Sequence, residues 1–269
     1  MEKIAVISDI HGNMPALETV LKDISDRGIK RIFCLGDLAG KGPHGEKAID
    51  ICREKCETVL QGNWDFVMAD GKGPAFLRLD WHRERLGAER LEYLKNLPGT
   101  IDFYLSGRKV RLFHTSQKGV MERVWNGNPE ESIELMLSNT DFTGNYFTPD
   151  IVGFADIHHV MYYCRRGKIL FNVGSVGNAV DEPSAAYIIL EGNYGDKDKA
   201  YFSLQIIRLS YDVELAISQA REEGMPDVEP YATELRTAIY RGLPHAEDPT
   251  LTAIKGLKKP AEDLPDSKT

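Results

Sequence analysis

The stretch Ile4-Ala5-Val6-Ile7-Ser8-Asp9-Ile10-His11-Gly12-Asn13 decides the fold. Residues 4–8 form a short, mostly apolar run, the pattern of a strand buried on both faces. Behind the polar loop, Met14, Leu17, Val20, Leu21 and Ile24 recur at helical spacing. Asn13 is placed to cap that helix, Pro15 sits in its first turn and Gly28 lies past its end. Working outward, residues 31–35 read as a second strand, Ala48, Ile49, Cys52 and Cys56 return to helical spacing, and residues 58–60 read as a third strand. Strand alternating with helix implies right-handed crossovers and a mostly parallel sheet. The fold class is therefore α/β.

The pattern changes further along. Gly71, Gly73 and Pro74 mark a loop, and the charged segment 81–96 reads as a helix, so residues 66–98 are expected to form a helical cap insertion. Residues 101–105 and 109–113 pair around Ser106 and Gly107 as a hairpin, and 160–164 with 169–171 as another. A helix over 129–138 precedes a strand over 151–154; strands follow at 185–190 and 202–209. The second half is thus antiparallel-rich. Ala216, Ala220, Tyr231, Leu235 and Ile239 suggest two closing helices within 212–242. Residues 1–245 are read as one domain and 246–269, a mixture of Pro, Lys and Asp, as a disordered tail.

Composition excludes several classes. The chain has 269 residues, 42% of them hydrophobic, with 33 basic against 41 acidic residues and a net charge of −8. An acidic surface disfavours stable nucleic-acid binding. Four cysteines are too few for a disulfide framework in a chain this long. The apolar run near Met1 is too short for a signal peptide, and no apolar stretch is long enough to span a membrane. A cytoplasmic protein without a membrane partner is the expectation.

In open α/β sheets ligands bind beyond the carboxyl ends of the strands. Here those ends carry Asp9 and His11, Asp37, Asn63, His114, and Asp156 with His158. Seven oxygen and nitrogen donors with no cysteine suit hard or borderline divalent ions, and there are enough of them for two. Two ions about 3.5–4 Å apart can hold a hydroxide and clamp a phosphoryl oxygen.

Asp9-Ile10-His11-Gly12-Asn13, Gly36-Asp37, Gly62-Asn63-Trp64-Asp65, His114 and Asp156-Ile157-His158, together with the loop Asn172-Val173-Gly174-Ser175-Val176-Gly177, resemble the calcineurin-like metallophosphoesterase signature. The likeness is greatest to the small bacterial and archaeal phosphodiesterase branch, and the closing helices are similar to those of a diadenosine tetraphosphatase-like subgroup. The resemblance implies a four-layer α/β/β/α sandwich of mixed sheets. It implies one ion held by Asp9, His11, Asp37 and His158, and a second by Asp37, Asn63, His114 and Asp156. Manganese is favoured among manganese, iron, zinc and nickel. A bridging hydroxide would attack phosphorus, with Asn63 and His114 as catalytic residues.

Two positions depart from the family pattern. Asp156 stands where a histidine is usual, so three carboxylates and a hydroxide would cancel two divalent ions, which favours diesters or internal phosphoanhydrides over monoesters. His159 is the alternative ligand. Trp64 replaces the usual general acid, leaving water, Asp65 or His82 to protonate the leaving group. Asn13 and His82 are candidate substrate contacts. The expected substrate is a small phosphorylated molecule, a phosphodiester or a dinucleoside polyphosphate. A phosphomonoesterase, or a non-catalytic interaction scaffold on the same fold, is the alternative. The sequence leaves the number of subunits open.

Overall fold

The structure, a computed structural model, describes residues 1–73 and 78–240. The opening apolar run forms β1 (Glu2–Ile7), which feeds α1 (Met14–Asp26), β2 (Arg31–Cys34), α2 (Gly45–Lys55) and β3 (Thr58–Val59). Strands β1, β2 and β3 pair in parallel, as the alternation of strand and helix requires. Asn13 Oδ1 accepts from the Ala16 backbone N–H at 3.3 Å, and Met14, Leu17, Val20 and Ile24 are buried, so cap and apolar stripe coincide with those read from the sequence.

Helices α3 (Asn63–Asp70) and α4 (Leu79–Lys95) follow, then β4 (Thr100–Leu105), β5 (Arg108–Phe113), α5 (Pro129–Met136), β6 (Ile151–Phe154), β7 (Val160–Arg165) and β8 (Lys168–Val173). Strands β9 (Ala185–Gly192) and β10 (Ser203–Leu209) precede α6 (Val213–Glu222) and α7 (Val228–Thr237). One sheet has the order β10-β9-β1-β2-β3, the other β4-β5-β6-β8-β7. Both are mixed: β9 runs antiparallel to β1, while β5, β6 and β8 are parallel inside hairpin edges.

The two faces of β1 show why its residues had to be apolar. Ile4 and Val6 join Phe33, Leu112, Phe171 and Ile188 between the sheets. Ala5 and Ile7 join Leu17, Val20, Ile49 and Leu86 beneath the helices. A third cluster, with Ile133, Met136, Phe154 and Leu170, covers the outer face of the second sheet with α5. The result is four layers, helix, sheet, sheet and helix.

Segment 66–98, expected as a helical cap insertion, holds α3 and α4. Met68, Leu79, Leu86 and Leu94 are buried in the same apolar cluster as α1 and α2, so α3 and α4 are part of the helical layer. Apolar burial wins here because these side chains would otherwise stay in water at about 1.5–3 kcal/mol each. Pro74 lies outside the described residues, as does the tail 246–269. The closing helices pack through Ala216, Ile217, Ala220, Tyr231 and Leu235, with Trp81 of α4 against them. Ile239, expected on the inner face, lies past the end of α7 and is 68% exposed. Among the described residues no helix is long and apolar enough to cross a membrane.

Candidate metal centre

The ends of β1, β2, β5 and β6 converge at one edge of the sandwich. Asp9, His11, Asp37, His114, Asp156 and His158 are all buried there. Five of them, Asp9, His11, Asp37, Asp156 and His158, hold left-handed backbone with φ between 49° and 67°. Such conformations cost about 1–3 kcal/mol each outside glycine and persist only where the surroundings impose them. A backbone lattice does so: Asp9 N–H donates to Gly36 at 3.0 Å, His11 N–H to Asp37 at 2.9 Å and Gly177 N–H to Asp9 at 2.9 Å. Asp9-Ile10-His11 and Asp156-Ile157-His158 share their sequence and a positive φ at both the Asp and the His.

Each histidine is oriented by a backbone carbonyl. Nδ1 of His11 faces Ala39 O at 3.3 Å, that of His114 faces Leu35 O at 2.9 Å, and that of His158 faces Asn178 O at 2.5 Å. Nδ1–H donation leaves Nε2 as the ligand atom, the arrangement found at metal-bound imidazoles. The Nε2 atoms of His11 and His158 lie 3.2 Å apart, and that of His158 is 3.1 Å from Asp9 Oδ1. One ligand atom from each of Asp9, His11, Asp37 and His158 fits within a 4.8 Å span.

Asp37 faces both sides. Its Oδ2 lies 3.6 Å from His11 Nε2, and its Oδ1 lies 3.4 Å from His114 Nε2. Both oxygens of Asp9, and Nε2 of His114, are buried without a hydrogen-bond partner. Orphaned buried acceptors are costly unless a cation takes them. The donor set therefore fits divalent metal. Beside it Asn63 Nδ2 donates to Asp156 Oδ1, joining two more of the expected ligands.

Electrostatics agree with that fit. Burial raises the Asp9 carboxyl, but His158 and His114 outweigh it and hold it below its ordinary value. Burial, then the Lys41 and His158 charges, push His11 well below the usual imidazole range. At His114 burial works the other way from the carboxylates of Asp37, Asp9 and Asp156, which win and raise it to about 10. A raised histidine stabilises the metal-free fold fully below its unfolded value of 6.5, and that contribution is lost as pH rises through about 10. A metal must displace this proton. We expect metal affinity to climb with pH across the neutral range, and calorimetry in buffers of differing ionisation enthalpy to record about one proton released per His114 ligated. Release of none would remove His114 from the ligand set.

Asp65, one candidate proton donor, is sealed behind the centre. Its carboxylate accepts from the backbone N–H groups of Asp37 at 2.7 Å, Leu38 at 3.0 Å and Gly62 at 3.0 Å, holding the Asp37 loop in place. Burial and the Asp37 charge push it up to about 7. Trp64 stands edge-on to His11, ring centroids 5.7 Å apart, and packs as a wall. The 172–177 loop is a brace: Ser175 Oγ donates to Asp9 O at 2.8 Å and Asn172 Nδ2 to Ala155 O at 2.7 Å.

The two residues read as substrate contacts are shut away from solvent. Asn13 is 1% exposed, and besides capping α1 it donates to Gly177 O at 2.8 Å and Tyr211 Oη at 3.2 Å. His82 is 6% exposed on α4, edge-on to Trp81. The four-residue cluster includes neither Asn63, His114 nor Asp156, nor His159, the alternative to Asp156, whose imidazole burial holds below its ordinary value against the charge of Asp181.

Two cations at this edge escaped the sequence reading. Lys41 donates to Asn178 Oδ1 at 3.0 Å. Arg123 grips Asp156 with two bonds, Nε to Oδ2 at 2.6 Å and Nη2 to Oδ1 at 2.8 Å. The guanidinium returns the positive charge that aspartate in place of histidine removes, so the neutral centre expected from the ligand count gains a compensating cation at its rim.

The sequence profile of the Calcineurin-like phosphoesterase superfamily domain matches residues 2–194. An uncharacterised protein of Methanocaldococcus jannaschii is 31% identical over 245 residues, which cover 83% of this chain and 94% of that protein. The fold is shared with a metallophosphoesterase from Sphaerobacter thermophilus, at a TM-score of 0.69 and 23% identity over 88% of this chain and 99% of that one. It is shared too with a hypothetical protein from Pyrococcus horikoshii, at 0.71 and 19% over 90% and 99%. With its profile match running from β1 to the end of β9, this chain belongs to the calcineurin-like phosphoesterase superfamily.

Proposed function

We propose that this chain is a metal-dependent phosphohydrolase that cleaves phosphodiesters or the internal anhydrides of dinucleoside polyphosphates at a two-metal centre. The observation that carries the reading is the position of Asp37, with one carboxylate oxygen 3.6 Å from His11 and the other 3.4 Å from His114. One ion would take Asp9, His11, Asp37 and His158; the other Asp37, Asn63, His114 and Asp156. Manganese is the metal we favour. When bound, the ions would acidify a water to near neutral pH and offset charge on the phosphoryl oxygens.

The protein's own residues supply rigidity and exclusion. Backbone carbonyls fix the three imidazoles, so the ligand nitrogens are in place before metal arrives. Asn63, tied to Asp156, holds its carboxamide at the rim where a phosphoryl oxygen would be steadied. Asp65 is wholly buried and bound to backbone N–H groups, which removes it as proton donor to a leaving group. Without a strong general acid, good leaving groups are favoured, and a nucleotide phosphate leaves more easily than an alkoxide.

The test is hydrolysis of bis(p-nitrophenyl) phosphate, p-nitrophenyl phosphate and a dinucleoside polyphosphate by protein stripped with chelator and reloaded with manganese. We expect turnover only after reloading, with the diester or polyphosphate ahead of the monoester. A monoester hydrolysed faster would overturn the substrate class. Absence of both bound metal and turnover would favour an interaction scaffold.

A further inference from the structure

The opposite edge of the sandwich carries a second polar cavity. Strands β5, β6 and β8 begin there, whereas the candidate ligands stand beyond strand ends, so the length of a strand such as β5, roughly 20 Å, separates the two. The cavity has a volume of about 590 Å³ and lies between the β7–β8 turn and the start of β10. Its cations are set in place by the backbone. Arg166 and Gly167 form the two-residue β7–β8 turn with φ of 50° and 78°, the pair of positive values that a tight hairpin of this kind requires. Gly107 N–H donates to Asp196 O at 2.9 Å and Ser106 Oγ to Tyr201 O at 2.5 Å, which pins the loop bearing Lys199 to the β4–β5 turn. Arg108 Nη1 donates to Ser106 O at 3.0 Å and to Ala200 O at 3.1 Å, and its guanidinium lies 5.0 Å over the Phe202 ring.

The charge of this cavity is uncompensated. Lys168 is paired at 2.8 Å with Asp150, the one carboxylate on the lining. Arg108, Arg166 and Lys199 form no ion pair among the described residues, in a chain whose 41 acidic residues outnumber its 33 basic ones. Ser203 Oγ, on the same lining, is buried without a hydrogen-bond partner, which is costly unless a ligand takes it. We propose that this cavity binds a small molecule with two or more linked phosphoryl groups, held by Arg108, Arg166 and Lys199 with the Ser203 hydroxyl as a further donor. One phosphoryl group brings about 1.5–2 negative charges at neutral pH, less than three cations balance. The volume is that of a small-ligand site, which spans about 300–1,000 Å³, and a lone phosphate would leave most of it unfilled. The site is independent of the metal centre and of the phosphohydrolase reading.

The test titrates the metal-free full chain, dialysed free of chelator, with inorganic pyrophosphate and with inorganic phosphate by calorimetry, and locates the bound anion by hydrogen exchange. Wild type is compared with Arg166→Asn/Lys199→Gln, in which asparagine tolerates the left-handed turn, and with Lys22→Gln/Lys55→Gln, which removes the same charge at exposed positions on α1 and α2. We expect one pyrophosphate per chain, bound more tightly than phosphate, with exchange slowed at 162–169 and 199–204. Charge-assisted hydrogen bonds are strong, so the cavity pair should weaken pyrophosphate by at least about tenfold, and the control pair by less than about twofold. Lys199→Gln alone should give part of the loss, and unchanged melting temperatures would show that folding is not what differs. No binding by wild type, equal weakening by both pairs, or slowed exchange confined to the Asp9 and Asp37 loops would overturn the proposal. Phosphate bound as tightly as pyrophosphate would overturn the ligand class.

Discussion

Asp37→Asn should abolish metal-dependent turnover, by at least about 10³-fold, because Asp37 turns one oxygen toward His11 and the other toward His114. The amide keeps the size of the side chain and leaves one oxygen able to accept from Trp64 N–H, now at 2.8 Å from Oδ1. It cannot ligate through nitrogen while that N carries its protons. The fold should survive, since the surrounding backbone bonds do not involve the lost charge. What disappears is stabilisation by metal: an ion at 100 times its dissociation constant adds about 2.7 kcal/mol to a protein that binds it only when folded. Manganese should therefore raise the melting temperature of wild type and leave that of Asp37→Asn in place. A variant still stabilised by manganese, or still active, would show that Asp37 does not hold the ions.

Gly62→Ala should have nearly the same functional effect from a residue that ligates nothing. A Cβ at Gly62 would lie 2.1 Å from Asp37 Oδ1 and 2.5 Å from Asp37 N, far inside contact distance. The strain is steric alone, since φ −90° and ψ 173° at Gly62 suit any residue. Asp37 cannot retreat as a unit. Its N–H is bonded to Asp65 Oδ2 at 2.7 Å and its carbonyl accepts from His11 N–H at 2.9 Å. The carboxylate must swing and the backbone at Gly62 or Asp37 must shift as well, so the shared ligand is misplaced. Overpacking of this kind costs about 1–3 kcal/mol of stability. We expect a folded protein with reduced metal content and activity lowered on the order of 10²-fold or more, since misplacement by about 1 Å is enough for that. Full metal content with wild-type rates would contradict it.

The candidate centre could be read from the sequence because its residues follow a local rule. Asp9, Asp37, His114 and Asp156 each stand just beyond an apolar run, and a parallel sheet brings such ends to one edge. The layers were legible for the same reason: a run like 4–7 can be apolar on both faces only if both faces are covered. Arg123 was hidden because its loop has no period, and what places it is the packing of Val124 and Trp125 on a cluster built from β5 and β6. One signal did exist, since a carboxylate standing in for a ligand histidine calls for a compensating cation. Charge on 81–96 masked the few apolar side chains, Leu86 and Leu94 among them, that bind α4 into the helical layer. Asp65 read as a potential acid because sequence shows a carboxylate but not the three N–H groups that claim it.

The most direct test of the centre is a manganese titration of metal-free protein, followed by calorimetry for stoichiometry and by electron paramagnetic resonance for coupling between ions. A carboxylate shared as Asp37 is placed to be shared predicts two ions per chain, magnetically coupled. A single ion per chain, or two that show no coupling, would contradict it.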